Sequence, residues 1–336
     1  MKKILVFLLS IILIISVVGC DNGRDEAREY RLGIGIVPYV TANTNETAQF
    51  GAVVATVVTD SGGKITDCEI DEIENTVSIK GGMIDYKTFG EDFKTKQQLG
   101  DDYGMKEASG IGKEWYEQTD DFCDYVVGMT RDQVLAISLS SDGKAEDSVI
   151  SAGCTINITN FIKAVVEACD YKGAKTFKAD DYELGISAIS RKNGGNDASG
   201  GTRGVLKLES DICAVALTDD HKVLSAIIDT IEPEIEFSET GSVLTPAETV
   251  FFTKRDLGDN YGMKKVSGIG KEWYEQADAF EEYIVGLDSV GVKSMKTVIN
   301  ADNGKVLTDE AELRAGCTIA VDGYMKVCHS AIESAK

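Results

Sequence analysis

The sequence predicts an α+β protein built as two tandem copies of a small antiparallel-sheet domain, each with a main helix and a closing helix. Three observations carry this. The segment YGMKEASGIGKEWYEQTDDF, which contains residues 109–118, returns as YGMKKVSGIGKEWYEQADAF, which contains residues 267–276. At the same spacing, AVVATVVTDSGGKITDCEIDEIE (52–74) aligns with SDICAVALTDDHKVLSAIIDTIE (210–232). A hydrophobic fraction of 43% beside 27% charged residues is that of a folded chain. A self-match over this length is the signature of repeated structural units.

The elements follow in chain order. Residues 1–19 join the basic MKK to the apolar run ILVFLLSIILIISVV and end on small residues before Cys20, which reads as a secretion signal. Residues 20–31 form a polar tether. Repeat domain 1 covers 32–169, a polar linker covers 170–183, and repeat domain 2 covers 184–336. In each copy a β-branched, alternating stretch (VVATVVTD), a turn (SGGK or DDHK) and a returning stretch (KITDCEI or KVLSAII) spell a hairpin. GKEWYEQTDDFCDYVVG then reads as a helix with Trp115, Thr119, Phe122 and Val126 on one face and Gly128 after its C-terminus, with Ser109 or Ser267 as candidate caps. A short helix and a turn at SSDGK lead to AGCT, expected as a strand, and to a closing helix over FIKAVVEACDY capped by Thr159 or Asn160.

Composition excludes several classes of function. The formal charge of -22 disfavours nucleic acid and anionic headgroups by repulsion. The two histidines, His221 and His329, face Gly63 and Val166 in the repeat alignment, so the copies share no histidine chemistry. No GxSxG elbow, HExxH or DxDxDG loop is present, and no hydrolase or metal function is indicated. GIGKE departs from a nucleotide-triphosphate loop, which would place glycine at Glu107 and a hydroxyl at Glu114. GIGIV at Gly33 lacks the third glycine of a dinucleotide fingerprint, because Pro38 stands there. Seven cysteines follow Cys20 with no CxxC, which indicates neither a disulfide framework nor a cysteine-rich zinc site. Two readings of Gly110, Gly112, Gly268 and Gly270 stay open: they shape a turn, or their backbone N–H groups hold an anion or phosphate monoester at the helix start.

The ending Val17-Val18-Gly19-Cys20 resembles the bacterial lipobox. That implies cleavage before Cys20, a diacylglyceryl group on its thiol, and a protein held on the extracytoplasmic face of the cell membrane by acyl chains worth roughly 0.8 kcal/mol per buried methylene. The strand, helix and AGCT pieces together resemble the FMN-binding domain family of bacterial surface lipoproteins and of flavin subunits of sodium-pumping respiratory complexes. In that family the threonine of SGAT carries FMN through a phosphodiester bond. The matching segments are Ala152-Gly153-Cys154-Thr155 and Ala315-Gly316-Cys317-Thr318, so the resemblance implies Gly153, Thr155, Gly316 and Thr318 as the flavin site. Alanine replaces the serine and cysteine the alanine, leaving three alternatives: covalent FMN, non-covalent FMN, or flavin lost. The whole chain resembles tandem-repeat surface lipoproteins of Firmicutes. The functions implied are a membrane-anchored flavin electron carrier with a redox or surface partner protein, or a non-enzymatic binding module.

Overall fold

A computed structural model describes residues 27–42, 46–88 and 93–336. The expected signal segment and Cys20, the expected lipidation site, lie outside them. Among the described residues no helix is long and apolar enough to cross a membrane.

Three long antiparallel strands open the first repeat: β1 (Arg28–Ala42), β2 (Thr47–Asp60) and β3 (Ile65–Lys80), with the short β4 (Met83–Ile84) at the edge. β1 begins inside the span read as a tether. The helices are α1 (Lys96–Leu99), α2 (Trp115–Val126), α3 (Arg131–Leu135), α4 (Ser148–Gly153) and α5 (Thr159–Asp170). The expected linker contributes β5 (Lys175–Ala179), which pairs with β1 and gives the order β4-β3-β2-β1-β5. The second repeat runs β6 (Glu183–Asn196), β7 (Gly204–Leu217), β8 (Val223–Ile231) and β9 (Glu234–Phe237). It continues with α6 (Lys254–Leu257), α7 (Trp273–Ile284), α8 (Ser289–Lys293) and the hairpin β10 (Thr297–Ile299) and β11 (Val306–Thr308). It closes with α9 (Ala311–Arg314) and α10 (Asp322–Glu333).

The two sheets pack face to face and the helices cover their outer faces, so the molecule has four layers. Period-two alternation sorts the strands. On β2, Phe50, Ala52, Val54 and Val58 point to the shared central core, while Val53, Ala55 and Val57 point to α2 and α5. On β7, Leu206, Leu208, Ile212 and Ala214 join the same central core, and Cys213, Val215 and Leu217 face α7 and α10. Because both faces are buried, these strands read as near-continuous apolar runs. The ladder carries a register shift at Val58/Thr59 and another at Ala216/Leu217, the equivalent point of the second copy. Tyr30, Phe177 and Tyr182 knit β1, the strand in the linker and the start of β6, with ring centroids 4.9–5.6 Å apart.

The glycines of GIGIV have a steric reason. A Cβ on Gly33 would stand 2.1 Å from the carbonyl oxygen of Ala168, and one on Gly35 would stand 1.9 Å from that of Ala164. α5 thus lies directly on β1, and Gly185 performs the same service under Ala331 of α10 at 2.2 Å.

Thr56, Ser190 and Ser210 are buried on the inward strand faces but are hydrogen-bonded, whereas Asn75 of the central core is left unpaired. Asn75 is 1% exposed, and neither its amide nitrogen nor its oxygen finds a hydrogen-bond partner among the described residues. Its neighbours along the same face of β3, Ile73 and Val77, belong to the apolar cluster. Leaving a buried polar group unpaired costs about 1–3 kcal/mol, so Asn75→Val is expected to stabilise the protein by roughly 1–2 kcal/mol in chemical denaturation. An unchanged or lowered midpoint would mean that the amide is satisfied in solution.

Candidate functional site

Each repeat opens a cleft between its sheet, the start of its main helix and the first turn of its closing helix. In the first repeat Tyr39, Glu72, Lys96, Trp115, Ile156 and Asn160 are among its walls, and the volume is about 440 Å³. In the second, Arg191, Glu232, Lys254, Trp273, Thr318 and Tyr324 are among them, and the volume is about 710 Å³. Lys96 and Lys254, like Trp115 and Trp273, are equivalent positions of the repeat.

The lysines are set by a local device. Thr95 caps α1 through a capping box with Gln98, and Thr253 caps α6 through one with Asp256. The residue after each cap is the lysine, whose side chain is directed inward. Lys96 Nζ lies 3.1 Å from Glu72 and 2.8 Å from Glu74, and 5.0 and 5.5 Å from the ring centroids of Tyr103 and Trp115. Lys254 Nζ lies 3.1 Å from Glu232 and 3.5 Å from Glu209, with Tyr261 and Trp273 at 5.3 and 5.5 Å. Burial pulls both ammonium groups down and the carboxylates more than offset it, so both stay protonated well above neutral pH. Beneath them, Asp71 and Asp229 accept the first-turn amides of Gln97 and Arg255 at 3.1 and 3.2 Å, and burial pushes both carboxyls up to about 6.

The duplicated decapeptide folds into a turn and helix start whose side chains hold one another. α2 and α7 begin at Trp115 and Trp273, capped by Glu114 and Glu272 rather than by the serines. The Glu114 carboxylate accepts the Met105 and Lys106 amides at 2.8 and 3.0 Å, and its own N–H donates to Glu117 at 2.8 Å. Ser109 Oγ instead receives Gln118 Nε2 at 3.4 Å, as Ser267 Oγ receives Gln276 at 3.3 Å. Gly112 and Gly270 take φ of +67° and +64°, which favours glycine, and donate back to the carbonyls of Ser109 and Ser267 at 3.1 Å. Gly110 and Gly268 have open space where a side chain would go. An anion at these helix starts would meet the carboxylates of Glu114 and Glu117, or Glu272 and Glu275. The geometry therefore favours the turn-shaping reading of all four glycines over a phosphate contact.

The AGCT segments are not strands. α4 ends at Gly153, Cys154 is extended and buried, and the chain bends to Ile158, which caps α5 in place of the expected Thr159 or Asn160. A short bulky contact explains the glycine: a Cβ on Gly153 would stand 2.8 Å from Asp121 of α2, and one on Gly316 would stand 2.7 Å from Ala279 of α7. Thr155 and Thr318 are brought to the main helix by the last residue of the decapeptide. Gln118 Oε1 accepts the Thr155 N–H at 2.9 Å and its hydroxyl at 3.2 Å. Gln276 Oε1 accepts the Thr318 N–H at 2.9 Å and its hydroxyl at 3.0 Å. Thr318 is exposed and lines its cleft, whereas in the first repeat the lining starts at Ile156.

Comparison with known proteins yields one match. Chlorophenol reductase of Desulfitobacterium hafniense is 30% identical over 118 residues, which span 31% of this chain and 36% of that protein. No family model and no solved structure matches the chain.

Trp115 and Trp273 are 2% and 1% exposed with a lysine over each ring, and Tyr116 and Tyr274 donate to Asp101 and Asp259 at 3.1 Å. The paired lysines escaped the sequence reading, although the recurring carboxylates Asp71 and Glu74, matched by Asp229 and Glu232, stand out in the repeat alignment. TKQQLGDDYGMK and TKRDLGDNYGMK show the lysines at equivalent positions directly upstream of the matched segment. Among the described residues no group of three His, Cys, Asp or Glu side chains is placed to hold a metal.

Proposed function

We propose that the chain is an exported, lipid-anchored protein whose repeats are FMN-binding-like domains, with the larger cleft of the second repeat as the flavin site of an electron carrier. One observation supports this reading above the rest: in each copy the threonine of AGCT is held by a buried glutamine, and Thr318 presents its hydroxyl at the lip of a cleft of about 710 Å³. That volume lies within the range of roughly 300–1,000 Å³ usual for cofactor clefts. Asn300, Asn303 and Lys305 of the hairpin rim supply donors, and Tyr261 and Tyr324 an aromatic wall. FMN bound there would supply one- and two-electron transfer, and these residues would position it. Similarity to a protein named as a reductase agrees with redox use.

The test is to produce the mature chain together with a flavin transferase and FMN, denature it, and read flavin fluorescence on the separated polypeptide. A bound flavin is expected, and Thr318→Val should remove most of it, because valine keeps the backbone bond to Gln276 and loses only the attachment oxygen. Fluorescence absent from the parent, with no visible flavin bands after desalting under native conditions, would refute flavin binding. A second reading, a tethered binding module without flavin, is favoured by the main-helix starts, where carboxylates occupy the place of an anion.

A further inference from the structure

We propose that Cys213 and Cys328 close into a disulfide that ties the closing helix of the second repeat to its sheet when the chain folds in contact with a thiol–disulfide oxidant. Cys213 lies on β7 and Cys328 on α10, both are 0% exposed, and their sulfurs stand 3.3 Å apart. A disulfide needs about 2.05 Å, so the gap is closed by small side-chain movements shared between the two residues. The residues are 115 positions apart, in the long-loop range where a cross-link restricts the unfolded chain most.

The first repeat gives independent support. There Cys123 of α2 and Cys68 of β3 are buried in the same outer core, so each repeat sets two thiols between its sheet and a helix. The pairs do not occupy equivalent positions. Cys213 and Cys328 align with Ala55 and Val165, and Cys68 and Cys123 align with Ala226 and Glu281. Two copies alike elsewhere have each acquired a pair of thiols between sheet and helix with different residues. Cys154 and Cys317, which do share a position, belong to the separate outer cores of the two repeats.

The chemistry balances with an external disulfide. One thiolate attacks the oxidant, for example oxidised glutathione, to form a mixed disulfide; the second displaces glutathione, and the two protein thiols give up two protons and two electrons while the oxidant leaves as two thiols. Burial pushes the Cys328 thiol up, and neither sulfur reaches solvent, so closure belongs to folding or to transient opening rather than to the packed state.

The experiment refolds the reduced mature chain across glutathione buffers from reducing to oxidising, traps remaining thiols by alkylation in denaturant, and maps peptides by mass. A Cys213–Cys328 cross-linked peptide is expected at a glutathione ratio about tenfold more reducing than that needed to pair Cys154, Cys169 or Cys317. The thermal midpoint of the oxidised chain should rise by several degrees. Cys328→Ala should abolish both effects, and should the variant not fold, Cys213→Ala reads the same two outcomes. Native protein held with oxidised glutathione in sub-denaturing urea serves as a second route. Full alkylation of both residues at every ratio by both routes, or cross-links spread equally over Cys154, Cys169 and Cys317, would overturn the proposal. The outcome does not depend on flavin.

Discussion

Trp273→Ala is expected to lower stability by roughly 3–5 kcal/mol, read as a shift of the denaturant midpoint at unchanged slope. The indole is 1% exposed and its Nε1–H donates to the Tyr324 hydroxyl at 2.7 Å. Its ring stands edge-on to Tyr324 with centroids 6.1 Å apart and bears the Lys254 ammonium above it. Truncation therefore opens a void and removes the face against which a buried cation rests. Trp115→Ala should behave alike, since Phe161 packs against Trp115 at 5.9 Å. Trp273→Phe retains most of the apolar area and leaves one hydroxyl without its donor, an effect of about 1–2 kcal/mol. The measurement also weighs the two roles of the decapeptide. A loss below about 1 kcal/mol for Trp273→Ala, with flavin retention abolished, would contradict a packing role and favour a ligand-contacting one.

The second large effect lies in an ion cluster that only the second repeat has. Glu281 on α7 is 2% exposed, accepts the Ile228 amide at 2.6 Å, and is paired with Arg255 of α6 and, at 3.1 Å, with Lys175 of the linker strand. Arg255 and Lys175 also reach Asp278 at 3.0 and 2.8 Å. The first repeat has Gln97 and Cys123 at the Arg255 and Glu281 positions. Glu281→Ala removes the fully buried carboxylate of the cluster, leaves Arg255 with Asp278 alone of its two salt-bridge partners, and is expected to destabilise the protein by roughly 3 kcal/mol. Replacing both partners by methionine should recover a large part of that loss, because the desolvation of two charges disappears with the pair. Urea denaturation of the two variants side by side checks this. A double variant weaker than Glu281→Ala would show that the pair contributes net stability, contrary to expectation.

Much of the fold was legible because buried sheet positions leave a clear trace. The period-two pattern of VVATVVTD and the turns at SGGK and DDHK gave the β2–β3 and β7–β8 hairpins, and Trp115, Thr119, Phe122 and Val126 do form the buried face of α2. Gly128 follows the C-terminus at φ +86°, as its sequence position suggested. The caps were misplaced for a physical reason. Serine is the usual cap, but here a glutamate reaches back to the preceding loop and the serine hydroxyl anchors Gln118. The strand in the linker escaped notice because KTFKA is only five residues long and apolar only at Phe177 and Ala179. The AGCT segment was misread because a cysteine and a threonine suit a strand, while Asp121 and Ala279 pressing on Gly153 and Gly316 impose a bend. The lysine boxes required knowing which residues neighbour one another across the sheet, and that is tertiary information.

The shared core between the sheets has a consequence for how such a chain can come to exist. A single repeat would carry an uncovered sheet face lined by residues such as Phe50, Val54 and Ile73, or Leu206, Ile212 and Phe237. The natural complement of that face is the same face of another copy, so a gene encoding one repeat would make a homodimer. Joining two copies in one gene fixes the stoichiometry and frees the subunits to drift apart where they do not touch. Tyr39 against Arg191, Gln97 against Arg255 and the hairpin 297–308, longer than the equivalent turn at 139–145, are the marks of that divergence, and they lie at the clefts and outer layers rather than in the core that obliges both halves to stay together.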